Sequence, residues 1–171
     1  AELQKVDNSL SPFNKTSIIS RINRNEKVKV DEMFSEVFQL AEKISGDTDG
    51  AFDITVAPMV NAWGFGFKTG NPPTRQTIDS LRAIVGFHTV SLQDGYVIKK
   101  NPKTMLDCSA IAKGYGTDVV ARFLKKKGVQ NFMVEIGGEI VVNGNSEKLQ
   151  PWRIGINKPT DDSLNTSQAI Q

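Results

Sequence analysis

Three stretches of this sequence set an acid beside small residues or glycines, a combination that lets a charged ligand approach the backbone. The first is Ala51-Phe52-Asp53. A carboxylate there can accept hydrogen bonds from an adenine amino group or a ribose hydroxyl, and an aromatic neighbour can pack on a ring. The same aspartate also suits a strand entry where it bonds its own loop, and composition alone favours that plainer account. The second stretch runs Leu106-Asp107-Cys108-Ser109-Ala110-Ile111-Ala112-Lys113-Gly114. It puts an acid and small residues at a helix start, with a lysine one turn in. Free N–H groups and positive potential at a helix start suit a pyrophosphate. An Asp or Ser cap with a surface lysine explains the spacing equally well. The third is Val134-Glu135-Ile136-Gly137-Gly138-Glu139, where the glycines can admit a ligand or simply form a turn or bulge, and a turn is the better expectation. Glu135 and Glu139 form a candidate carboxylate pair of unspecified geometry. Trp63, Phe65 and Phe67 suit either an aromatic wall for a flavin or core packing.

Other chemistries are excluded or poorly supported. No G-x-G-x-x-G follows a strand and no G-x-x-x-x-G-K-[ST] occurs; Gly64, Gly66 and Gly70 have the wrong spacing for a dinucleotide loop. One histidine, His88, and one cysteine, Cys108, rule out a Cys/His zinc cluster and an internal disulfide within the chain. His88 lacks a nucleophile-elbow signal nearby, so a structural role is expected. A formal net charge of +2 gives no field for nucleic acid. The run Lys125-Lys126-Lys127 fits a solvated helix end. No apolar run is long enough to span a bilayer, and no signal segment stands at Ala1.

The positioning elements follow from spacing. Glu2 to Leu10 reads as a short helix, and Ser17 to Asn23 as a short ordered segment. Asp31 is a plausible N-cap for a helix with Phe34, Val37, Phe38, Ala41 and Ile44 on one face, ending near Ser45-Gly46. Phe52 to Val56 and Met105 to Asp107 read as strands. Thr77 is expected to cap a short helix that ends before Gly86. Val90–Leu92 and Tyr96–Lys99 flank Asp94-Gly95 as a hairpin. Ala110 to Lys127 is a second strong helix, its apolar face carrying Ile111, Tyr115, Val119, Phe123 and Leu124, with Gly128 at its C-terminal cap. Phe132–Ile136, Ile140–Val142 and Trp152–Ile156 read as strands. The order gives an α+β fold, a mixed or antiparallel sheet with packed helices, read as a single domain over 1–171.

Taken in order, these pieces resemble the ApbE family. The resemblance rests on Leu10-Ser11-Pro12-Phe13 with Ser17 to Asn23, Gly50 to Pro58, Trp63-Gly64-Phe65-Gly66, Leu106 to Tyr115, Glu135 to Glu139, and Trp152 to Ile156. It covers nearly the whole chain and implies the central portion of an ApbE-like flavin transferase, truncated at both ends. The implied activity is FAD:protein FMN transfer: a threonine or serine hydroxyl of an acceptor protein attacks the FMN phosphoryl group of FAD, and AMP leaves. Alternatives on the same scaffold are FAD hydrolysis to FMN and AMP, and a non-catalytic FAD-binding module.

The resemblance implies FAD contacts at Phe13, Ala51, Phe52, Asp53, Asp107 and Lys113. It also implies magnesium, with Ala110 at a ligating position that only its carbonyl can serve. It points to a lipid-anchored parent protein facing the periplasm or cell exterior; no nucleic-acid partner is expected, from the low net charge. Cys108-Ser109-Ala110 replace the Leu-Gly-Gly or Leu-Gly-Ala that commonly follows the motif aspartate. The family's His-Ile-Ile-Asp-Pro stretch and acidic-plus-threonine metal segment do not occur before Gln171, so this chain is expected to supply part of a larger site.

Overall fold

A computed structural model describes residues 2–65, 72–157 and 166–170. The contacts gather into two compact units, Ala1–Gly116 and Thr117–Gln171, with the division falling inside one helix.

The first unit is led by helices. α1 (Glu2–Leu10) contacts both α2 (Ile18–Asn23) and α3 (Glu32–Asp47). Side-chain caps fix where two of these helices start: Asp31 as expected, and Ser17, where the sequence predicts only the head of a short ordered segment. Ser17 accepts from the Ser20 amide, and the Asp31 carboxylate accepts from the Phe34 amide at 2.8 Å. Ser9 donates to the same Asp31 oxygen at 2.8 Å, so one carboxylate ties the end of α1 to the start of α3. Phe34, Val37, Phe38 and Ala41 are buried, as their spacing predicts. Burying each of the larger of these side chains contributes about 1.5–3 kcal/mol relative to exposure. α4 (Ala57–Ala62) and α5 (Arg75–Arg82) follow, then a single 3-10 turn at Phe87–Thr89. β1 (Val90–Gln93) and β2 (Tyr96–Lys99) pair antiparallel. Their loop Asp94-Gly95 has positive φ at both residues, 51° and 80°, the conformation that a two-residue hairpin requires.

The second unit takes up α6 (Ser109–Lys126) where its first turns leave the first. β3 (Phe132–Ile136) pairs antiparallel with β4 (Glu139–Asn143), and β5 (Ile154–Asn157) with β6 (Thr166–Ile170). Its core is Ala121, Phe132 and Val134, with Val120, Leu124, Ile136 and Val141 packed against them. Alternation along β3 buries Phe132 and Val134 and exposes Met133 and Glu135. The Gly128 amide donates to the Lys125 carbonyl and closes α6.

Several expectations change. Phe52–Val56 and Met105–Asp107 are not strands; the two segments share one isolated parallel bridge, Val56 to Met105. The cause is local: the Asp53 carboxylate bonds the Thr55 amide and hydroxyl, so a side chain competes with a ladder. Thr74, not Thr77, caps α5; Thr77 is the residue whose amide the Thr74 hydroxyl accepts from. Phe123 is exposed, with the Lys127 ammonium 5.7 Å from its ring centroid, whereas Thr117, Val119 and Ala121 of α6 are buried. α4 and β6 carried no clear sequence signal. Phe67, Gly66 and Gly70 lie outside the described residues.

Candidate functional site

The irregular segments of the first unit lie side by side and are held by side chains. Asn23, the last residue of α2, makes a pair of hydrogen bonds to the backbone of buried Leu106. Its amide nitrogen donates to the Leu106 carbonyl and its oxygen accepts from the Leu106 N–H, both at 2.8 Å, as a neighbouring strand would do. The Asp107 N–H donates to the Ile54 carbonyl at 2.7 Å. Asp53 and Thr55 then reach the next segment, where the Asp53 carboxylate accepts from the Phe87 N–H and the Thr55 hydroxyl accepts from the Gly86 N–H. Thr104, fully buried, donates its hydroxyl to the Ile84 carbonyl at 2.9 Å.

A cleft of about 730 Å³ opens on this frame. Phe13, Ala51, Phe52, Asp53, Asp107 and Ala110 all line it, together with Asn23, Phe65 and Ser109. The first two chemical stretches of the sequence therefore meet at one site, although more than fifty residues separate them. Phe13 is 75% exposed and Phe65 85%. Two such aromatic faces on the wall of a cleft suit a flat ring system. Phe65 belongs to the aromatic cluster that the sequence left between a flavin wall and a core; its exposure removes it from the core. Trp63 is also exposed.

Asp107 opens α6. One carboxylate oxygen accepts from the Ser109 N–H at 2.8 Å, and the other takes no hydrogen bond from the described residues. In the first turn of α6 the Ser109 N–H is taken by Asp107, and the Ile111 and Ala112 N–H groups donate to the Cys108 carbonyl, so what the Ser109-Ala110 end brings to the cleft is chiefly the positive potential of the helix start. Asp53 is engaged differently. It accepts three hydrogen bonds from Thr55 and Phe87, which leaves little of it for a ligand. Lys113 is exposed one turn further along α6 and is not on the cleft wall.

Cys108, between the cleft residues Asp107 and Ser109, is 1% exposed. Burial, aided by the nearby Asp107 charge, pushes its thiol up to about 12. It packs as a small apolar group, as expected. Lys99 donates to the carbonyls of Ile22, Pro102 and Thr104, and burial lowers its pKa. His88 is exposed and sits edge-on to Phe87, with ring centroids 5.9 Å apart. Among the described residues, no group of three or more His, Cys, Asp or Glu side chains is placed to hold a metal ion, and no helix is long and apolar enough to cross a membrane.

The third stretch belongs to the second unit and forms a hairpin. Gly137 and Gly138, φ 58° and 91°, make the β3–β4 turn, with Ile136 opposite Glu139 and Glu135 opposite Ile140. The turn expectation holds, and Glu135 and Glu139 do not face each other across the register.

A family model described as the ApbE family matches residues 1–171. A curated FAD:protein FMN transferase of Vibrio cholerae is 38% identical over 174 residues, covering 99% of this chain and 52% of the relative. The protein of that name in Escherichia coli strain K12 is 32% identical, covering 99% of this chain and 50% of the relative. The solved flavin transferase ApbE from Vibrio cholerae superposes with a TM-score of 0.87 at 39% identity, over 92% of this chain and 53% of that one. The apo flavinyl transferase ApbE of Pseudomonas stutzeri gives 0.85 at 34% identity, over 91% and 51%. The chain thus spans about half the length of the curated relatives it matches.

Proposed function

The chain belongs to the ApbE family, and from that membership we propose that it builds the FAD-binding part of an enzyme that moves FMN from FAD to a protein hydroxyl. The observation that supports this most is the one cleft shared by Phe13, Ala51, Phe52, Asp53, Asp107 and Ala110. Its volume lies in the range of small-molecule sites. Its aromatic walls suit an isoalloxazine ring, and the helix start suits a pyrophosphate.

In the proposed reaction a threonine or serine oxygen of the acceptor protein attacks the phosphorus of the FMN moiety. The bond from that phosphorus to the bridging oxygen breaks, the hydroxyl proton passes to a base, and AMP departs with the bond pair. This chain's share is to bind and orient. Phe13 and Phe65 hold the ring, and the positive end of α6 at Ser109-Ala110 faces the phosphates. Lys113, one turn on, adds positive charge toward the same end of α6.

Magnesium fits what is present only in part. The second Asp107 carboxylate oxygen, which takes no hydrogen bond among the described residues, and the Ala110 carbonyl are oxygen donors of the right kind. Magnesium is commonly held by one or two carboxylates together with phosphates and waters. When bound, it would neutralise developing charge on the pyrophosphate. The remaining ligands and the base are expected from chain beyond this half. The lipid-anchored, periplasmic or cell-surface setting is proposed from the family resemblance alone.

The test is incubation of the full-length protein with FAD, magnesium and a threonine-bearing acceptor, read by mass spectrometry. The proposal predicts covalent FMN on the acceptor and stoichiometric AMP. Free FMN with AMP would instead mean hydrolysis, and bound but unchanged FAD would mean a binding module.

A further inference from the structure

The aspartate of the Ala51-Phe52-Asp53 triplet is committed to the protein itself. One carboxylate oxygen accepts from the Thr55 N–H and O–H, both at 2.7 Å; the other accepts from the Phe87 N–H at 2.8 Å. Three of its roughly four acceptor positions are therefore taken. Thr55, fully buried, completes a ring: having donated its proton to Asp53, its oxygen accepts from the Gly86 N–H at 2.7 Å. Two adjacent amides, Gly86 and Phe87, are thus gripped by residues more than thirty positions away. Gly86 adopts φ +144°, and a Cβ there would lie 2.7 Å from His88 Cε1, so a glycine is needed to present its N–H to Thr55.

The two ends of this ring carry different parts of the cleft wall: Ala51, Phe52, Asp53 and Ile54 on one side, Val85 on the other. We infer that Thr55 is a positioning residue for the flavin donor, acting with Asp53 as a clasp that sets the spacing of these two walls; the inference rests on the FAD reading of the cleft. Asp53 then serves FAD by holding Gly86 and Phe87, and the triplet meets the ligand through Ala51, Phe52 and its backbone. A carboxylate that bonds adenine or ribose directly would act without Thr55, so the two accounts differ in how the residues couple.

The experiment is a double-mutant cycle on the full-length protein with Asp53→Ala, Thr55→Val and the pair, plus Thr55→Ser. FAD affinity is read by fluorescence titration, and hydrogen exchange at the Gly86 and Phe87 amides is read without FAD. The clasp predicts that Thr55→Val weakens FAD binding roughly tenfold or more, from one lost charge-assisted and one lost neutral hydrogen bond. It predicts that Thr55→Ser stays within about twofold of the parent, and that the pair binds no worse than Asp53→Ala alone. Exchange at Gly86 and Phe87 accelerates in Thr55→Val and Asp53→Ala. In turnover, KM for FAD rises while kcat changes little.

If Thr55→Val unfolds, Asp53→Asn tests the same ring. Its amide keeps an acceptor for Thr55 but turns a donor toward the Phe87 N–H, so faster exchange at Phe87 with weaker FAD binding is expected. Normal FAD affinity in Thr55→Val beside its loss in Asp53→Ala would overturn the clasp, as would full additivity or failure of serine to rescue. A parent protein that binds no FAD would overturn the functional reading instead, while exchange at Gly86 and Phe87 would still show whether the clasp exists.

Discussion

The cleft frame and the β3–β4 hairpin solve the same problem by different means. In the hairpin, five residues face five in unbroken antiparallel register, and two glycines close the turn. Its polar backbone groups are satisfied by a ladder that local sequence dictates. In the cleft, segments 53–56, 84–87 and 105–107 share one isolated bridge and few backbone bonds. Buried polar groups must still find partners. There they find Asn23, Asp53, Thr55 and Thr104, across sequence separations from 20 to 83. A regular ladder leaves little backbone for a ligand, whereas a frame held by side chains keeps backbone edges and a helix start available.

That contrast should appear first in Asn23→Leu. It strands the N–H and C=O of buried Leu106, which costs about 2–6 kcal/mol at roughly 1–3 kcal/mol per orphaned group. Chemical denaturation would read it, and a loss below 1 kcal/mol would mean that the amide is not holding the frame. Gly86→Ala should follow at about 1–3 kcal/mol, from backbone strain plus the clash with His88. Gly138→Ala in the hairpin should cost less, about 1 kcal/mol, because its φ is +91° but open space surrounds the added carbon. An equal cost at both glycines would erase the distinction between a strained frame and a simple turn.

The smallest effects concern Cys108 under the cleft. The folded protein should leave this thiol unreactive toward a disulfide reagent until denatured. Its pKa rises on folding from about 9 to about 12, so the unfolded chain ionises first. This contribution to stability is intact below about pH 9 and declines as pH rises toward 12. The loss is about 1 kcal/mol by pH 10, and denaturation midpoints across that range would show it as a downward slope.

The same division explains what the sequence revealed. Asp31, Asp94-Gly95 and Gly137-Gly138 act on residues within a turn of themselves, so caps and hairpins were readable. The convergence of Ala51-Phe52-Asp53 with Asp107 and Ala110 on one cleft was expected from family resemblance; spacing alone left each stretch with a plainer account. What misled was Phe52–Val56, whose β-branched residues read as a strand. Asp53 turns back on Thr55 there and spends its carboxylate on a contact 34 residues away, which no periodicity records. Thr55 and Asn23 had no local signal as frame residues, because their partners are distant backbone groups.

The central claim is that this cleft holds FAD, and the most direct measurement is titration of the chain with FAD, followed by flavin fluorescence, for the parent, Phe13→Ala and Asp107→Ala. The account predicts saturable binding by the parent, weakened by both substitutions and strengthened by magnesium only while Asp107 is present. A folded chain that leaves flavin fluorescence unchanged, or that binds FAD equally well without Phe13 and Asp107, would contradict it.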